Sequence, residues 1–404
     1  MVRCALSGGR AYYTWMATLL VFIALGGWFW AHDLTHGLGG TNMSDHVSWG
    51  IGIANFVYFV GVAAGAAVLV VPAYAFHRED IKEIVLLGEL LAVVAVTMCL
   101  LFITTDLGRP ERMWHLFPII GFLNVPSSLL GWDVLVFMGY LAMNLHIPGY
   151  LLWSRYKGKK PTPLAYLPFV FLSMFWAVSI HTVTAFLLSG LGSRPFWNTP
   201  ILAPRFLISA GASAPALLIF LFTAIKKYGG LPVKDSVFDY FSKVLRVTMP
   251  INLFLLGCEV FQEFYTGALH SASAHYLYFG LHGKGMLSVF IWTAILFNIT
   301  ATAIFLIPKL RTQRWLMFVG CGLAVVGIWI EKGMGLIFPG FIPSPLGEVV
   351  EYAPNVGEII VCLGVVALGA FVYTAMAKIT IAIQKGTLRQ HPEPEAQAPE
   401  APAA

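Results

Sequence analysis

Long apolar runs separated by short polar segments dominate the chain. Ten of these runs hold roughly 20 residues or more, the length that a helix needs to cross the hydrocarbon core of a bilayer. They lie at about 12–32, 48–76, 84–104, 127–149, 163–190, 201–226, 244–267, 284–308, 315–338 and 356–384. The first run is too long for a cleaved signal peptide, and no small-residue (A-x-A) cleavage site follows it. The pattern predicts an all-α integral membrane protein with ten transmembrane helices.

The distribution of Lys and Arg predicts the orientation of these helices. With the N-terminus inside, all but six of the 25 basic residues fall on cytoplasmic segments, as the positive-inside rule requires. An even number of helices then puts both termini in the cytoplasm. The six exceptions are the places where we expect function: Arg109, Arg112, Arg194, Arg205, Lys284 and Lys332.

Short connections between the apolar runs favour antiparallel neighbours. The runs within about 48–190 and within 201–338 can therefore form two four-helix bundles, with the remaining helices at the periphery of a transmembrane domain spanning 1–385. The segment 386–404 is rich in Pro, Ala and Glu and lacks apolar periodicity. This composition predicts a disordered cytoplasmic tail.

Composition agrees with a membrane protein and limits its chemistry. The chain is 58% hydrophobic and 11% charged, whereas soluble domains carry about 25% charged residues. The net charge of +5 does not indicate nucleic-acid binding, because the basic residues lie in loops between apolar runs. Five scattered cysteines without a CxxC motif argue against covalent haem, iron–sulfur clusters or structural zinc. His181 is the one deep histidine, whereas haem b usually needs two.

Ionisable side chains within apolar runs cost about 2.5 kcal/mol or more on insertion scales, so each needs a physical reason. The deepest are Glu89, Asp133, His181, Glu259, Glu263, Glu331, Lys332 and Glu358. Glu259 and Glu263 share one helix face, and two carboxylates so close do not both ionise easily in a low dielectric. This arrangement suits proton transfer; the alternative is that both acids reach to the outer surface or are capped by neighbouring residues.

Three further buried groups leave alternatives open. Glu89 is either the mouth of a proton path or an acid that reaches to the cytoplasmic surface. His181 either serves proton or quinone chemistry or is a hydrogen-bonded core residue. Glu331 and Lys332 are sequence neighbours, and a structural pair in which they neutralise each other is the preferred interpretation.

Polar groups also cluster at the predicted outer ends of helices. Asp106 and Arg109 follow the third helix and are spaced to form an ion pair, while Arg194 and Arg205 flank a loop between the fifth and sixth helices. These charges either stabilise two turns or form a docking face for another subunit and a rim for a bound head group. The amide of Asn55 either binds a quinone oxygen or joins two helices.

Several of these segments together resemble one membrane-protein family. Residues 49–56 (WGIGIANF), 61–65 (GVAAG), 106–110 (DLGRP), 179–186 (SIHTVTAF) and 194–199 (RPFWNT) are similar to the NrfD/polysulfide-reductase membrane subunits. The similarity runs from about residue 45 to 385. The details are most similar to integral subunits of respiratory complexes of sulfur metabolism.

The resemblance implies a subunit of the inner membrane that has no haem or iron–sulfur cluster of its own. It would exchange electrons between menaquinone or menaquinol, bound near the outer face, and a periplasmic ferredoxin-like iron–sulfur subunit. It also implies further partners in the complex: a haem b membrane subunit, a cytochrome c subunit and a cytoplasmic iron–sulfur subunit.

We therefore expect a quinol-oxidising or quinone-reducing subunit of a larger oxidoreductase, with the direction of electron flow left open. The residues expected around the quinone head group are Asn55, Asp106, Arg109, His115, Asp133 and His181. Those expected to transfer protons are His181, Asp133, Glu259, Glu263 and Glu89. Two other classes stay open: a proton channel or secondary transporter, and a structural membrane anchor.

Overall fold

The computed structural model describes residues 1–117, 119–265, 267 and 271–390. Within these residues the regular structure is helical, apart from one isolated bridge between Leu281 and Lys284. Ten described helices are long and apolar enough to cross a membrane, which confirms the predicted fold class. Most of the predicted tail, 391–404, lies outside the described residues.

The ten helices are numbered here in chain order. They are α1 (Arg10–His36), α2 (Ile51–Ala75), α3 (Val85–Asp106), α4 (Leu129–Tyr156), α5 (Pro163–Ser189), α6 (Leu202–Gly229), α7 (Asp235–Tyr265), α8 (Met286–Leu306), α9 (Arg314–Phe341) and α10 (Val356–Gln384). A short helix, Ala272–Phe279, precedes α8. The orientation of this set in the membrane stays a prediction, and "outer" below means the predicted outer side.

One helix differs clearly from its predicted bounds. Helix α7 begins at Asp235 rather than near residue 244. Its first turns alternate polar residues with a buried stripe that includes Val237, Phe241 and Leu245. Such an amphipathic segment forms a helix because one face is buried against its neighbours. A search for uniformly apolar runs does not detect it.

The helices pack as two rings of four. Helices α2, α3, α4 and α5 each contact the next, and α2 closes the ring on α5; α6, α7, α8 and α9 do the same, with α6 closing on α9. The rings meet where α2 contacts α6 and α9 and where α5 contacts α6. Helix α10 packs on α3, and α1 packs on α10 outside both rings. Below, the first and second rings are called the first and second bundles.

Small residues allow the two bundles to approach closely, as the spacing of Gly61 and Gly65 predicts. A Cβ atom on Gly65 would collide with the Cβ of Ala214 on α6. A Cβ on Gly61 would lie 3.3 Å from Nζ of Lys332 on α9. The centre of the interface thus has room for one long polar side chain because α2 supplies none there.

Candidate functional site: a buried polar network across both bundles

Four polar side chains, one from each helix of the second bundle, form a charged cluster in its core. Arg205 of α6 makes ion pairs with Glu259 of α7 and with Glu331 of α9, the latter at 3.0 Å between Nη2 and Oε1. The other carboxylate oxygen of Glu331 accepts a hydrogen bond of 2.6 Å from Nδ2 of Asn298 on α8. All four residues are buried. Because each charge has a partner, the cluster tolerates burial that an isolated ion would not.

The charged cluster corrects two sequence predictions. Arg205 is not part of an outer docking face with Arg194: it lies in the first turn of α6 and points into the bundle, where two acids compensate it. Arg194 stays in the loop, over the ring of Phe341 at 4.8 Å. Glu259 and Glu263 do not reach to the outer surface, since both are buried.

Glu331 forms its ion pair with Arg205 rather than with Lys332, so the predicted pair of sequence neighbours is not a direct contact. Both lie in a π-helical turn, Ile330–Met334, within α9. Such a turn inserts an extra residue into the helix and redirects side chains. Glu331 faces the charged cluster, while Lys332 faces the first bundle.

Lys332 lies at the contact between the two bundles. Its Nζ atom is 3.5 Å from Nε2 of His181 on α5 and 4.3 Å from the ring centroid of Phe206 on α6. The side chain is 5% exposed. The aromatic face is one that amines and cations contact favourably, and Gly61 leaves the space that the amino group of Lys332 fills.

In the first bundle the polar network continues along α5. Thr184 lies one turn from His181, and its hydroxyl donates to Oδ1 of Asp133 on α4 at 2.8 Å. All three side chains are buried. Nδ1 of His181 has no hydrogen-bond partner among the described residues. The network therefore contains a base with one ring nitrogen engaged by Lys332 and the other available.

Glu89 is a buried acid near the start of α3, on the predicted cytoplasmic side of the first bundle. It is 1% exposed, so the alternative that it reaches to the cytoplasmic surface is wrong. Neither carboxylate oxygen makes a well-formed hydrogen bond within the described part of the chain. The neighbouring polar group is the hydroxyl of Tyr74 on α2.

Asp106 caps the outer end of α2, which begins without a capping side chain because its N-cap residue is Gly50. The Gly50 N–H donates to Oδ2 of Asp106 at 3.1 Å. A Cβ atom on Gly52 would lie 2.7 Å from Oδ1 of the same carboxylate. The WGIG segment thus supplies backbone donors and, at its second glycine, the space for Asp106. Unsatisfied amides at a helix start are stabilised by such acceptors.

A second group, from α10 and the segment before it, caps the same helix end. The Ile51 N–H donates to the Tyr352 hydroxyl at 3.0 Å, and that hydroxyl donates to Oε1 of Glu358 at 2.6 Å. Burial and the hydrogen bond to Glu358 raise the pKa of Tyr352 above its ordinary value. The hydroxyl therefore stays protonated and can donate to Glu358 while it accepts from α2.

A small pocket opens beside these capping groups. It is lined in part by Asp33, Asp106 and Glu358, and its volume is about 20 Å³. A cavity of that size has room for about one water molecule. A quinone ring would enter here only if the surrounding side chains moved apart.

The structure distributes the six predicted head-group residues over several places. Asp133 and His181 belong to the buried network, and Asp106 lies at the outer end of α2. Oδ1 of Asn55 accepts a hydrogen bond of 2.8 Å from Nε1 of Trp329 on α9, so this amide joins two helices. Arg109 and His115 are exposed on the loop after α3.

The predicted ion pair between Arg109 and Asp106 is wrong. Arg109 instead lies 3.6 Å from Glu111, and both side chains are largely exposed. His115 stacks on Trp114 with ring centroids 3.8 Å apart. The α-helix ends at Asp106, and a 3₁₀ helix, Pro110–Leu116, follows a short break, so Asp106 and Arg109 do not share an α-helical face.

The network also contains residues that sequence reasoning missed. Asn298 carries no charge, so nothing in the sequence separates it from other polar residues of a membrane helix. Gly327 of α9 leaves the space that its side-chain amide occupies. Arg205 stands out in the sequence as a basic residue outside the cytoplasmic segments, but its partners on α7 and α9 do not.

The fold and the network define a class of protein: a polytopic helical membrane protein whose core carries a paired charge network across two bundles. The model of the family described as "Polysulphide reductase, NrfD" matches residues 39–342. The chain belongs to this family, which confirms the resemblance seen in its motifs.

Curated relatives with different names match nearly the whole chain. The Hdr-like menaquinol oxidoreductase integral membrane subunit of Archaeoglobus fulgidus is 24% identical over 91% of this chain and 93% of its own length. A selenate reductase subunit from Mesobacillus selenatarsenatis is 24% identical over 91% and 94%. The menaquinone reductase integral membrane subunit of Nitratidesulfovibrio vulgaris is 23% identical over 92% and 91%.

Proposed function

We propose that this chain is the quinone-reactive membrane subunit of a multi-subunit oxidoreductase. The observation that carries the proposal is the network Asp133–Thr184, His181–Lys332 and Glu331–Arg205–Glu259. Ionisable groups in a membrane interior mark pathways for protons, ions or substrates. Two relatives that match most of the chain are named as membrane subunits of a menaquinol oxidoreductase and a menaquinone reductase.

The residues of the first bundle fit a quinone head group chemically. A quinone supplies two-electron chemistry coupled to two protons when it is bound. Nδ1 of His181 is a buried polar atom without a partner among the described residues, and a quinone oxygen is one group that satisfies it. Asn55, Asp106, Arg109 and His115 complete the proposed set toward the outer surface, where the small pocket beside Asp106 would have to widen.

The same groups are proposed to transfer the protons of the quinone reaction. Asp133 accepts a hydrogen bond from Thr184 and is the proposed proton acceptor next to the head group. His181 holds or releases a proton at Nδ1, and Lys332 at its other nitrogen influences which form is favoured. Glu259, Glu263 and, on the cytoplasmic side, Glu89 are the proposed further proton-transfer residues.

The finer assignment concerns partners. We propose a periplasmic ferredoxin-like iron–sulfur subunit as the electron partner, as the resemblance to the family implies. A haem b membrane subunit, a cytochrome c subunit and a cytoplasmic iron–sulfur subunit would complete a complex of the DsrMKJOP type, in which this chain corresponds to DsrP. The motifs at 49–56 and 179–186 support that assignment, in a complex of the inner membrane.

The test is quinol oxidation by the intact complex purified from its own membranes. Reduction of the neighbouring iron–sulfur cluster by a menaquinol analogue is followed for the wild type and for His181→Ala, and the set of subunits present is checked in both. Loss of a catalytic acid–base group lowers rates by about a hundredfold or more. A fully active His181→Ala variant would mean that His181 is only a structural residue of the core. A wild-type complex that does not react with quinol would favour the structural anchor or the transporter.

A further inference from the structure

A separate apolar groove runs along the lipid-facing side of the second bundle between α7 and α8. Its volume is about 740 Å³. Its walls include Leu253, Gly257 and Val260 of α7 and Ile295 and Ile299 of α8. Pockets that bind small molecules typically measure about 300–1,000 Å³ and are mostly apolar, so this groove has the size and character of a binding site.

Aromatic rings close one end of the groove. Tyr278 of the short helix Ala272–Phe279 has its ring centroid 5.8 Å from that of Phe264 and 6.2 Å from that of Trp292. Nε1 of Trp292 donates to the Tyr278 carbonyl oxygen at 2.9 Å. Because the rings support one another and one is hydrogen-bonded to the backbone, this end of the groove is preformed.

The hydroxyl of Tyr278 is the polar group at the closed end. The residue is 7% exposed. Burial raises the pKa of Tyr278 to about 12, with the nearby Arg205 opposing the shift and Glu331 and Glu263 adding to it. The group is therefore a protonated donor that adjoins the charged cluster of the second bundle.

We propose that this groove binds a second lipid quinone, with the isoprenoid chain between α7 and α8 and a ring carbonyl at the Tyr278 hydroxyl. The inference rests on the proposed function, since it requires a chain that works with quinones. A single neutral donor suits a carbonyl oxygen. A phospholipid phosphate is bound more strongly by a cation than by a neutral donor, and the nearby Arg205 is already paired with Glu259 and Glu331. The site is distinct from the first bundle, whose residues do not line it.

The experiment fills the groove without disturbing the fold. A Cβ atom on Gly257 would meet nothing within 4 Å, so Gly257→Trp places an indole in open space along the groove. Gly27 on α1 is equally open, and Gly27→Trp is the matched control. The complex is purified from native membranes into nanodiscs of phosphatidylethanolamine that contain menaquinone-4. Bound menaquinone-4 and phospholipid are then extracted and quantified.

We expect Gly257→Trp to lose about one bound menaquinone per chain, while Gly27→Trp keeps the wild-type content. Tyr278→Phe keeps the groove and removes one hydrogen bond, so menaquinone-4 should bind more weakly, by a factor of about ten or less. Loss of phospholipid instead of quinone from Gly257→Trp would overturn the proposal, as would unchanged content.

The two proposals fail in different ways. A wild-type complex that binds no menaquinone-4 and oxidises no quinol contradicts the proposed function itself. A wild type that turns over quinol and binds one menaquinone, with the amount unchanged in Gly257→Trp, contradicts only the second site.

Discussion

Nζ of Lys332 lies 3.5 Å from Nε2 of His181, so a buried amine of the second bundle meets a buried imidazole of the first. The hydrogen bond from Trp329 to Asn55 also joins the two bundles, but it contains no ionisable group. The pair is therefore where a change of protonation in one bundle can alter the other electrostatically. In a low dielectric such an effect is larger than in water.

Replacing Lys332 with Met tests this connection. Methionine keeps most of the length and apolar body of the side chain but removes the amino group that faces His181. We expect quinol-dependent reduction of the partner cluster to fall about tenfold or more, equivalent to roughly 1.4 kcal/mol in the barrier, while the complex still assembles. Stopped-flow reduction of the purified complex measures the effect.

Lys378→Met is the matched control for this variant. Lys378 on α10 also lies over an aromatic ring, that of Tyr12, at 3.9 Å, and it is outside the network. Its replacement should leave the rate unchanged. Equal rates in wild type and Lys332→Met would show that the contact between the bundles has no role in turnover.

Gly52→Ala should destabilise the outer end of α2. The new Cβ would lie 2.7 Å from Oδ1 and 3.1 Å from Cγ of Asp106, so the carboxylate must move away from the Gly50 N–H. Overpacking of this kind typically costs about 1–3 kcal/mol. Thermal unfolding of the purified protein in detergent measures the loss.

A double-mutant cycle between Gly52→Ala and Asp106→Ala tests the cause of that loss. In an Asp106→Ala background the space is free, and the added methyl group should cost less than it does in the wild type. Gly149→Ala on α4, where nothing lies within 4 Å of the new atom, is the control. If the Gly52 and Asp106 effects simply add, steric conflict with this carboxylate is not the reason.

The sequence predicts the helices well because bilayer thickness sets one length for every apolar run. The sequence does not predict the position of a side chain that is determined by its interaction partners on other helices. A charge near a helix end has the same signature in a loop as in a core, so the pattern predicts a surface position for Arg205 although Glu259 and Glu331 hold it inside. Neighbours such as Glu331 and Lys332 point apart because of a π-helical turn, which no periodicity reveals. Asn298 gives no signal at all.

Tyr352→Phe should weaken the link between α10 and the start of α2. The hydroxyl both accepts from the Ile51 N–H and donates to Glu358. Its removal leaves a buried donor and a buried acceptor without this partner, which costs about 1–3 kcal/mol. Chemical denaturation followed by tryptophan fluorescence measures the change. Tyr228→Phe, at a side chain 76% exposed, should have no effect, and a similar loss there would point to a general sensitivity to tyrosine replacement.

Arg205→Met should be among the most destabilising single changes in the second bundle. It leaves the carboxylates of Glu259 and Glu331 buried without the cation that both contact, and removing one partner of a buried ion pair costs about 3–5 kcal/mol.

Replacing all three residues, with Arg205→Met, Glu259→Gln and Glu331→Gln, removes the charges together. The triple variant should therefore be more stable than Arg205→Met alone, as measured by the midpoint of thermal unfolding. Arg246→Met, at an exposed position on α7, is the control for loss of an arginine. A triple variant that unfolds earlier than Arg205→Met would mean that the acids contribute through contacts other than their charge.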